Sequence, residues 1–464
     1  MLQKSRERLV LLLIALLPLH ALLVTVGTKM IAGPGYSPLP MLAIWKEVLL
    51  GLILLIAIIE WAKKLMMKNE ELTMDVLDLC IASLLLWSLV QSFILYSSFS
   101  ILHYAFGFKY DFLPLVAFVL LRRVPWSSSF VRTARAVLLG MGAIISVYGI
   151  ASMFFPMSWF TTLGYSDLHS LYVPGGPLAP FQQIESMGIR RMQSTFSGPN
   201  QMGLWLLIPL SLSIVELLRK KSPVRLLLCS LFVAGILLSF SRSAWIAAAV
   251  IVVIVAWKHM SRKQVLFVAS SLLVLGVIAI LAFPQIILRA TSSAGHIERP
   301  LQALKIMREH PLGLGLGSAG PASNRFSDAC VELPAGADAS WAQPHPELCV
   351  FVAGAQVQPT DRVCACPLLP ENWYLQIGVE LGWIGFVLYV ALVIMILLHV
   401  VQLRMKNEEL KILFLIPHSS FFIFLGISIA ALFLHAWEDS AVAYTVWILL
   451  AAVLTPRQSR PSNP

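Results

Sequence analysis

Gly188-Ile189-Arg190-Arg191-Met192-Gln193-Ser194-Thr195-Phe196-Ser197-Gly198-Pro199-Asn200-Gln201-Met202-Gly203 runs without a break into the apolar stretch Leu204–Val215, and this junction decides how the chain folds. Two adjacent arginines stand where a polar segment meets a run apolar enough to enter a bilayer, with a Gly-Pro-Asn break one or two turns in. A guanidinium beside lipid loses hydration at considerable cost, so it normally has a partner. Its planar fork suits phosphate better than any other side chain. Another arginine lies in Ser239-Phe240-Ser241-Arg242-Ser243, between two more apolar runs. Arginines gathered on one face would make a phosphate-binding mouth at a membrane surface.

The 464-residue chain is 58% hydrophobic and 12% charged, with a mean hydropathy of +0.80; soluble domains carry about 25% charged residues. Runs of about 20 apolar residues, long enough to span, fall near 9–27, 41–61, 74–97, 99–121, 134–155, 195–218, 224–240, 243–258, 264–284, 372–402, 412–434 and 436–455. The expected fold is an all-α integral membrane protein of about twelve helices. The first run follows Lys4, Arg6 and Arg8 like a signal peptide. Its apolar part is too long and no small-x-small cleavage site follows, so an uncleaved anchor is expected.

The net charge of +10 is distributed topologically. Every second connection is basic: Lys4, Arg6 and Arg8; Lys63, Lys64 and Lys68; Arg122, Arg123, Arg132 and Arg135; Arg219, Lys220, Lys221 and Arg225; Lys258, Arg262 and Lys263; Arg404, Lys406 and Lys411; Arg457 and Arg460. The short alternate connections near 28–40 and 98 hold only Lys29. This positive-inside pattern puts both termini in the cytoplasm and argues against nucleic acid as a partner. It divides the chain into helices one to nine (1–284, with an extracytoplasmic loop 156–193), a large extracytoplasmic loop between helices nine and ten (285–370), and helices ten to twelve with a cytoplasmic tail (371–464). All the arginines singled out then share the outer face.

The large loop holds Cys330, Cys349, Cys364 and Cys366, an even set that suggests two disulfides. A Cys364–Cys366 bridge would close a strained ring, so Cys330 and Cys349 are each expected to bond one of that couple. A zinc site competes, but no Cys-x-x-Cys pair supports it. Cys80 and Cys229 fall in helices, as small hydrophobes. Ser292–His310 reads as an amphipathic interfacial helix with Ile297, Leu301, Leu304 and Met307 at helical spacing. The following Gly313-Leu314-Gly315-Leu316-Gly317 suits either a turn that hugs substrate or a plain loop. Within the spans, Lys109 and Asp111 lie near mid-depth, marking either a substrate site or a mutual charge pair. Lys46, beside Glu47, is expected to snorkel outward, and His435, Glu438 and Asp439 either line the same chamber or cap the last helix.

Together these motifs resemble the O-antigen ligase and polymerase family. Arg191 in Arg-x-x-Ser-Thr-Phe-Ser-Gly-Pro-Asn, nine positions before Asn200, resembles the element preceding that family's middle helices. Ser241-Arg242-Ser243 is similar to its Ser-Arg-Gly/Ser turn, and Arg308-Glu309-His310-Pro311-Leu312-Gly313-Leu314-Gly315 to its His-Pro-x-Gly-x-Gly passage. Asn372-Trp373-Tyr374-Leu375-Gln376 with Glu380-Leu381-Gly382-Trp383-Ile384-Gly385 resembles the helix after its periplasmic loop. The resemblance covers roughly residues 40–450. It implies a bacterial inner-membrane glycosyltransferase that works without metal or other cofactor. Such an enzyme moves a glycan from an undecaprenyl-pyrophosphate donor to a lipid, glycan or protein acceptor. Where the family often has histidine before the asparagine, this chain has Glu371.

The expected chemistry follows from the residues. Negative charge gathers on the leaving diphosphate as the glycosidic bond breaks, and fixed guanidiniums stabilise it. Arg191 and Arg242 are the expected catalytic arginines, with Glu371 as base and His345 or His310 as substitutes. Arg190, Asn200, Arg299, Asn372, Lys109 and Asp111 are expected to bind substrate. No Asp-x-Asp motif stands in the segments assigned outside, so metal is not expected. Membrane lipids surround the spans. A transporter or flippase for a lipid-linked glycan or small molecule is the alternative, though no repeated halves are visible. A receptor built on the disulfide-bonded loop is a third.

Overall fold

The computed structural model describes residues 1–68, 74–95, 101–168, 176–184, 187–288, 290–333, 335–405 and 415–454. Lys406, Lys411, Arg457 and Arg460, and part of the segment 156–193, lie outside the described residues. The protein is 70% helical with few strands. Among the described residues, seven helices are long and apolar enough to cross a membrane: Leu2–Ala32, Val76–Phe93, Ile101–Leu121, Ser128–Ser152, Pro199–Arg219, Arg262–Ala282 and Trp373–Gln402. Shorter apolar helices occupy Pro223–Leu238, Arg242–Trp257, Ser419–Ala430 and Ser440–Val453, and Trp45–Lys68 is a further helix of 24 residues.

Sequence punctuation sets the ends. Pro199 and Pro223 open their helices, where a missing N–H leaves nothing unpaired. Ser261 and Gln264 form a capping box, and the Asp439 carboxylate accepts the N–H groups of Ala441 and Val442. Pro199–Arg219 is the centre of the bundle, with Trp205, Leu206, Leu207 and Ile208 wholly buried. The first helix is also core, since Val10, Leu13 and Ile14 are buried and Arg6 bonds Glu60 at 2.8 Å and the Pro125 carbonyl at 2.6 Å. Arg262–Ala282 has no buried residue. A strongly apolar helix with almost no protein around it suits lipid.

Hydrogen bonds sort the connections into two sets. One joins Arg6 to Glu60, Ser127 to Glu7, Arg122 and Arg123 to Asp75 and Asp78, and Arg135 and Arg225 to Glu216. The other joins Lys29 to Thr162, Arg190 to Phe155, Arg191 to Ser239, Arg242 to Leu288, Arg299 to Glu371 and Asn372 to Leu432. These are the two ends of the bundle, and the second carries the strand-containing segments.

There β1 (Gln182–Ile184) pairs antiparallel with β2 (Ile189–Arg191), placing Gln182 opposite Arg191. Further on, β3 (Cys330–Leu333) pairs parallel with β4 (Cys349–Val352), which pairs antiparallel with β5 (Ala355–Gln358). Disulfides join Cys330 to Cys366 and Cys349 to Cys364. Asp328, Cys349 and Cys364 cluster closely enough to suggest a metal, but the disulfide consumes both thiols. The helix Ala290–Glu309 differs from the expected single apolar face. Ile297, Leu301 and Leu304 are exposed, whereas Met307 is buried with Ala303 against Leu375 and Val379. The glycine run after it is a plug wedged against the helix from Trp373. Leu314 N–H and Gly315 N–H donate to the Val379 and Glu380 carbonyls, and Trp383 N–H to that of Pro311. Gly382 interrupts the helix at φ 67°, where a Cβ would stand 2.2 Å from the Pro311 carbonyl oxygen.

Candidate functional site

Glu371 sits immediately before the helix that starts at Trp373, in a left-handed conformation with φ 53°. For a residue with a side chain this costs roughly 1–2 kcal/mol, so surrounding contacts must hold it. Asn372 supplies some of them: its side chain accepts Leu375 N–H at 3.0 Å and donates to the Leu432 carbonyl at 2.9 Å. Asn372 is thus a helix cap rather than an open ligand. The Glu371 carboxylate takes a 2.6 Å bond from Arg299 and faces His296 Nδ1 at 3.7 Å. Burial pushes this carboxyl above its ordinary range, and the Arg299 guanidinium opposes that rise. His296 and Arg299 stand three positions apart on one helix, so they share a face. Arg299 is therefore committed first to a protein carboxylate.

Below this trio lies a buried polar cluster. His435 Nδ1 meets Gln376 Oε1 at 2.6 Å, and Gln376 reaches Asp111 at 3.4 Å. Burial, with Arg299 and His296 nearby, lowers the His435 imidazole to about 3, so it is neutral. The Asp111 and Glu380 carboxyls lie beside each other in this cluster. Glu380 also accepts the N–H groups of Gly317 and Ala319 at 3.0 and 3.2 Å, tying the glycine plug to this cluster.

Lys109 and Asp111 do not pair. They lie in one π-helical turn, Phe108–Phe112, whose wider spacing sends the two side chains to different neighbours. Lys109 bonds Glu47 at 2.9 Å. Lys46 does not snorkel; it turns inward to His20 at 2.7 Å. Lys46, Glu47, Lys109, Tyr110, Trp437, Glu438 and Tyr444 line a small cavity beside the acidic cluster.

The arginines from the opening junction are engaged with protein. Arg191 is buried and donates to the Ser239 carbonyl at 3.1 Å, Gln182 Oε1 at 2.8 Å, Asn200 Oδ1 at 2.8 Å and the Phe240 carbonyl at 3.4 Å. Asn200 is thus Arg191's partner. Ser239 and Phe240 follow the helix Pro223–Leu238, whose last carbonyls have no intrahelical donors, so Arg191 caps that end. Arg190 bonds the Phe155 carbonyl at 2.5 Å and stacks on Phe181. Arg242 donates to the Leu288 carbonyl at 2.7 Å, just ahead of the helix carrying His296 and Arg299. His345 faces Glu347 at 3.5 Å within the loop, and His310 ends the helix that begins at Ala290.

No protein-family model matches this chain, and no curated protein matches it in sequence. The trio has its own chemical content: a guanidinium for an anion, a carboxylate, and an imidazole within its reach. His296, Gln376 and Glu380 were not singled out as site residues from sequence. For two of them a signal existed, because Asn372, Gln376 and Glu380 recur every fourth position along an otherwise apolar helix.

Proposed function

We propose that this chain is a twelve-span glycosyltransferase of the bacterial inner membrane, with both termini cytoplasmic and the 285–370 segment outside. It transfers a glycan from an undecaprenyl-pyrophosphate donor to a lipid, glycan or protein acceptor, as an O-antigen ligase or polymerase does. The observation that carries this reading is the Arg299–Glu371–His296 trio, assembled from distant segments at the end of the bundle where Arg242 also lies. The seven long apolar helices support this reading, and twelve spans would be reached with the four shorter apolar helices and Trp45–Lys68. In the reaction an acceptor hydroxyl attacks the sugar's anomeric carbon and the carbon–oxygen bond to diphosphate breaks. Arg299 and Arg242 face the charge that develops. Arg191 and Arg190 shape the site by fixing the backbone around it.

A deletion strain tests this on gels of surface and lipid-linked glycans. Long lipid-linked chains left unattached identify a ligase, and single repeat units a polymerase. Unchanged glycans at both levels would refute the reading. A transporter or flippase is the second reading, favoured by the ionisable side chains Lys46, Glu47 and Lys109 turned inward within the spans. Movement of a labelled lipid-linked glycan across proteoliposomes, without transfer, would select it.

A further inference from the structure

The contacts of His20 fix the charge of a lysine. His20 belongs to the first helix, Leu2–Ala32, and both of its ring nitrogens meet side chains from the start of Trp45–Lys68. The Trp45 indole N–H donates to Nδ1 at 3.1 Å, and Lys46 Nζ lies 2.7 Å from Nε2. An indole nitrogen can only donate, so Nδ1 is the accepting nitrogen of the ring, and the imidazole carries its one proton on Nε2. That N–H must then donate to Lys46 Nζ. An ammonium has no lone pair to receive it, whereas a neutral amine has one. The surroundings agree. Lys46 is buried, 7% exposed. Glu47 Oε1 stands 3.7 Å from its Nζ, beyond hydrogen-bond reach, and is taken by Lys109 at 2.9 Å. A second ammonium would have to share that carboxylate in a site with little water, a condition a buried lysine escapes by giving up its proton.

We infer that Lys46 stands as a neutral amine and that the small cavity it lines is a proton-binding site within the spans. The inference goes beyond the transferase reading and does not rest on it. The Nζ lone pair takes the proton, from water or from an acid entering the cavity, and the ammonium so formed can no longer accept from His20. His20 then gives up its Nε2 proton and takes one on Nδ1, so that Nε2 accepts from the ammonium. The net uptake is one proton. The Trp45 N–H now faces another N–H, and its bond to the ring is lost. Both contacts tie the first helix to Trp45–Lys68, so filling the site moves that tie from Trp45 to Lys46. Glu47, Lys109, Arg325 and Asp439 are the charged groups that bear on Nζ besides His20, and Tyr110, Glu438 and Tyr444 stand across the cavity. Ionisable groups turned inward at such depth commonly serve as proton sites.

The test uses the full-length protein in lipid bilayers, isotope-labelled at lysine Nζ and at the histidine ring nitrogens and read by solid-state NMR. The Lys46 signal is the one missing from Lys46→Met, and the His20 signals are those missing from His20→Asn. At about pH 8.5 an exposed lysine, with an ordinary value of 10.5, is still an ammonium. Lys46 should give a neutral-amine signal there, and His20 should carry its proton on Nε2. Acidification to about pH 5 should convert the Lys46 signal fully to ammonium and move the His20 proton to Nδ1. Trp45→Phe removes the donor that fixes the ring, so the neutral-amine signal should be lost to ammonium already at about pH 8.5. An ammonium signal for wild-type Lys46 at that pH, or a His20 proton on Nδ1 there, overturns the inference without any variant. A Lys46 signal that stays neutral at about pH 5 overturns the proton-binding role, and one that stays neutral in folded Trp45→Phe overturns the tautomer argument beneath it. None of these readouts involves a glycan, so their failure leaves the transferase reading where it stood.

Discussion

Replacing Arg191 separates a ligand-binding arginine from one that holds the fold. Three of its bonds run at 2.8–3.1 Å, to the Ser239 carbonyl, Gln182 and Asn200, and a fourth to Phe240 is long at 3.4 Å. A bond from a charged donor contributes roughly 1.5 kcal/mol at the low end, so alanine should cost about 4–5 kcal/mol for the three good ones. Lysine keeps the charge, but its single ammonium cannot span acceptors on a strand, a helix start and a helix end together. Arg191→Lys should therefore lose about 3 kcal/mol, two of the three bonds. Against a typical total of about 5–15 kcal/mol, either loss is large.

Cys80 is a buried free thiol, so a maleimide dye that fluoresces on reaction reports unfolding during a fixed-rate heating scan in detergent. Such unfolding is commonly irreversible, so only midpoints taken at one scan rate are comparable. Arg191→Ala should drop by several degrees and Arg191→Lys by somewhat less. An Arg191→Ala protein with a wild-type midpoint and lost donor binding would refute the capping argument. Arg191 would then be a phosphate ligand, as its sequence context first implies.

Single added cysteines at Ala339 and Ser128 should differ toward an impermeant maleimide in intact cells, Ala339 reacting and Ser128 not; labelling at Ser128 would reverse the proposed orientation. Thiol counting on unreduced, denatured protein should find Cys80 and Cys229 alone, and four further thiols would remove the staples of the loop. Bonds from Arg362 and the Ala365 N–H hold the Asp328 carboxyl below its ordinary range. A lowered acid stabilises the folded loop above its unfolded value of 3.8, and that contribution is lost as pH falls through the lowered one. Hydrogen exchange at Ala365 should accordingly accelerate only below about pH 4, and Asp328→Asn should abolish that acid step.

What the sequence revealed and what it hid divide along one physical line. Apolar runs report their own environment, so the helices Ser128–Ser152 and Pro199–Arg219 overlie the expected runs 134–155 and 195–218, with ends displaced by up to six residues. The cysteine pattern narrows its own partners, because two residues set so close as Cys364 and Cys366 cannot easily bond each other. Charged side chains within spans report only that a partner exists. Lys109 and Asp111 look like a pair in the sequence, yet a π turn sends one to Glu47 and the other to Gln376 and Glu380. Glu371 and Arg299 are 72 positions apart, and no local periodicity encodes such a contact.

The same limit bears on the arginines at the opening junction, whose sequence context implies phosphate. An arginine near a membrane edge needs an anion or a row of carbonyl oxygens, and a helix C-terminus offers the latter with a partial negative charge. Arg191 takes the carbonyls that follow Leu238, and Arg242, in the turn so fixed, takes that of Leu288. Two residues later the helix Ala290–Glu309 begins, and it brings His296 and Arg299 to Glu371. Asn372 then fastens Glu371's helix to Leu432. Each clasp sets the position of the next, so Arg191 can govern the trio without touching it. Loss of activity in an Arg191 variant therefore says nothing about phosphate contact until the heating scan has been read.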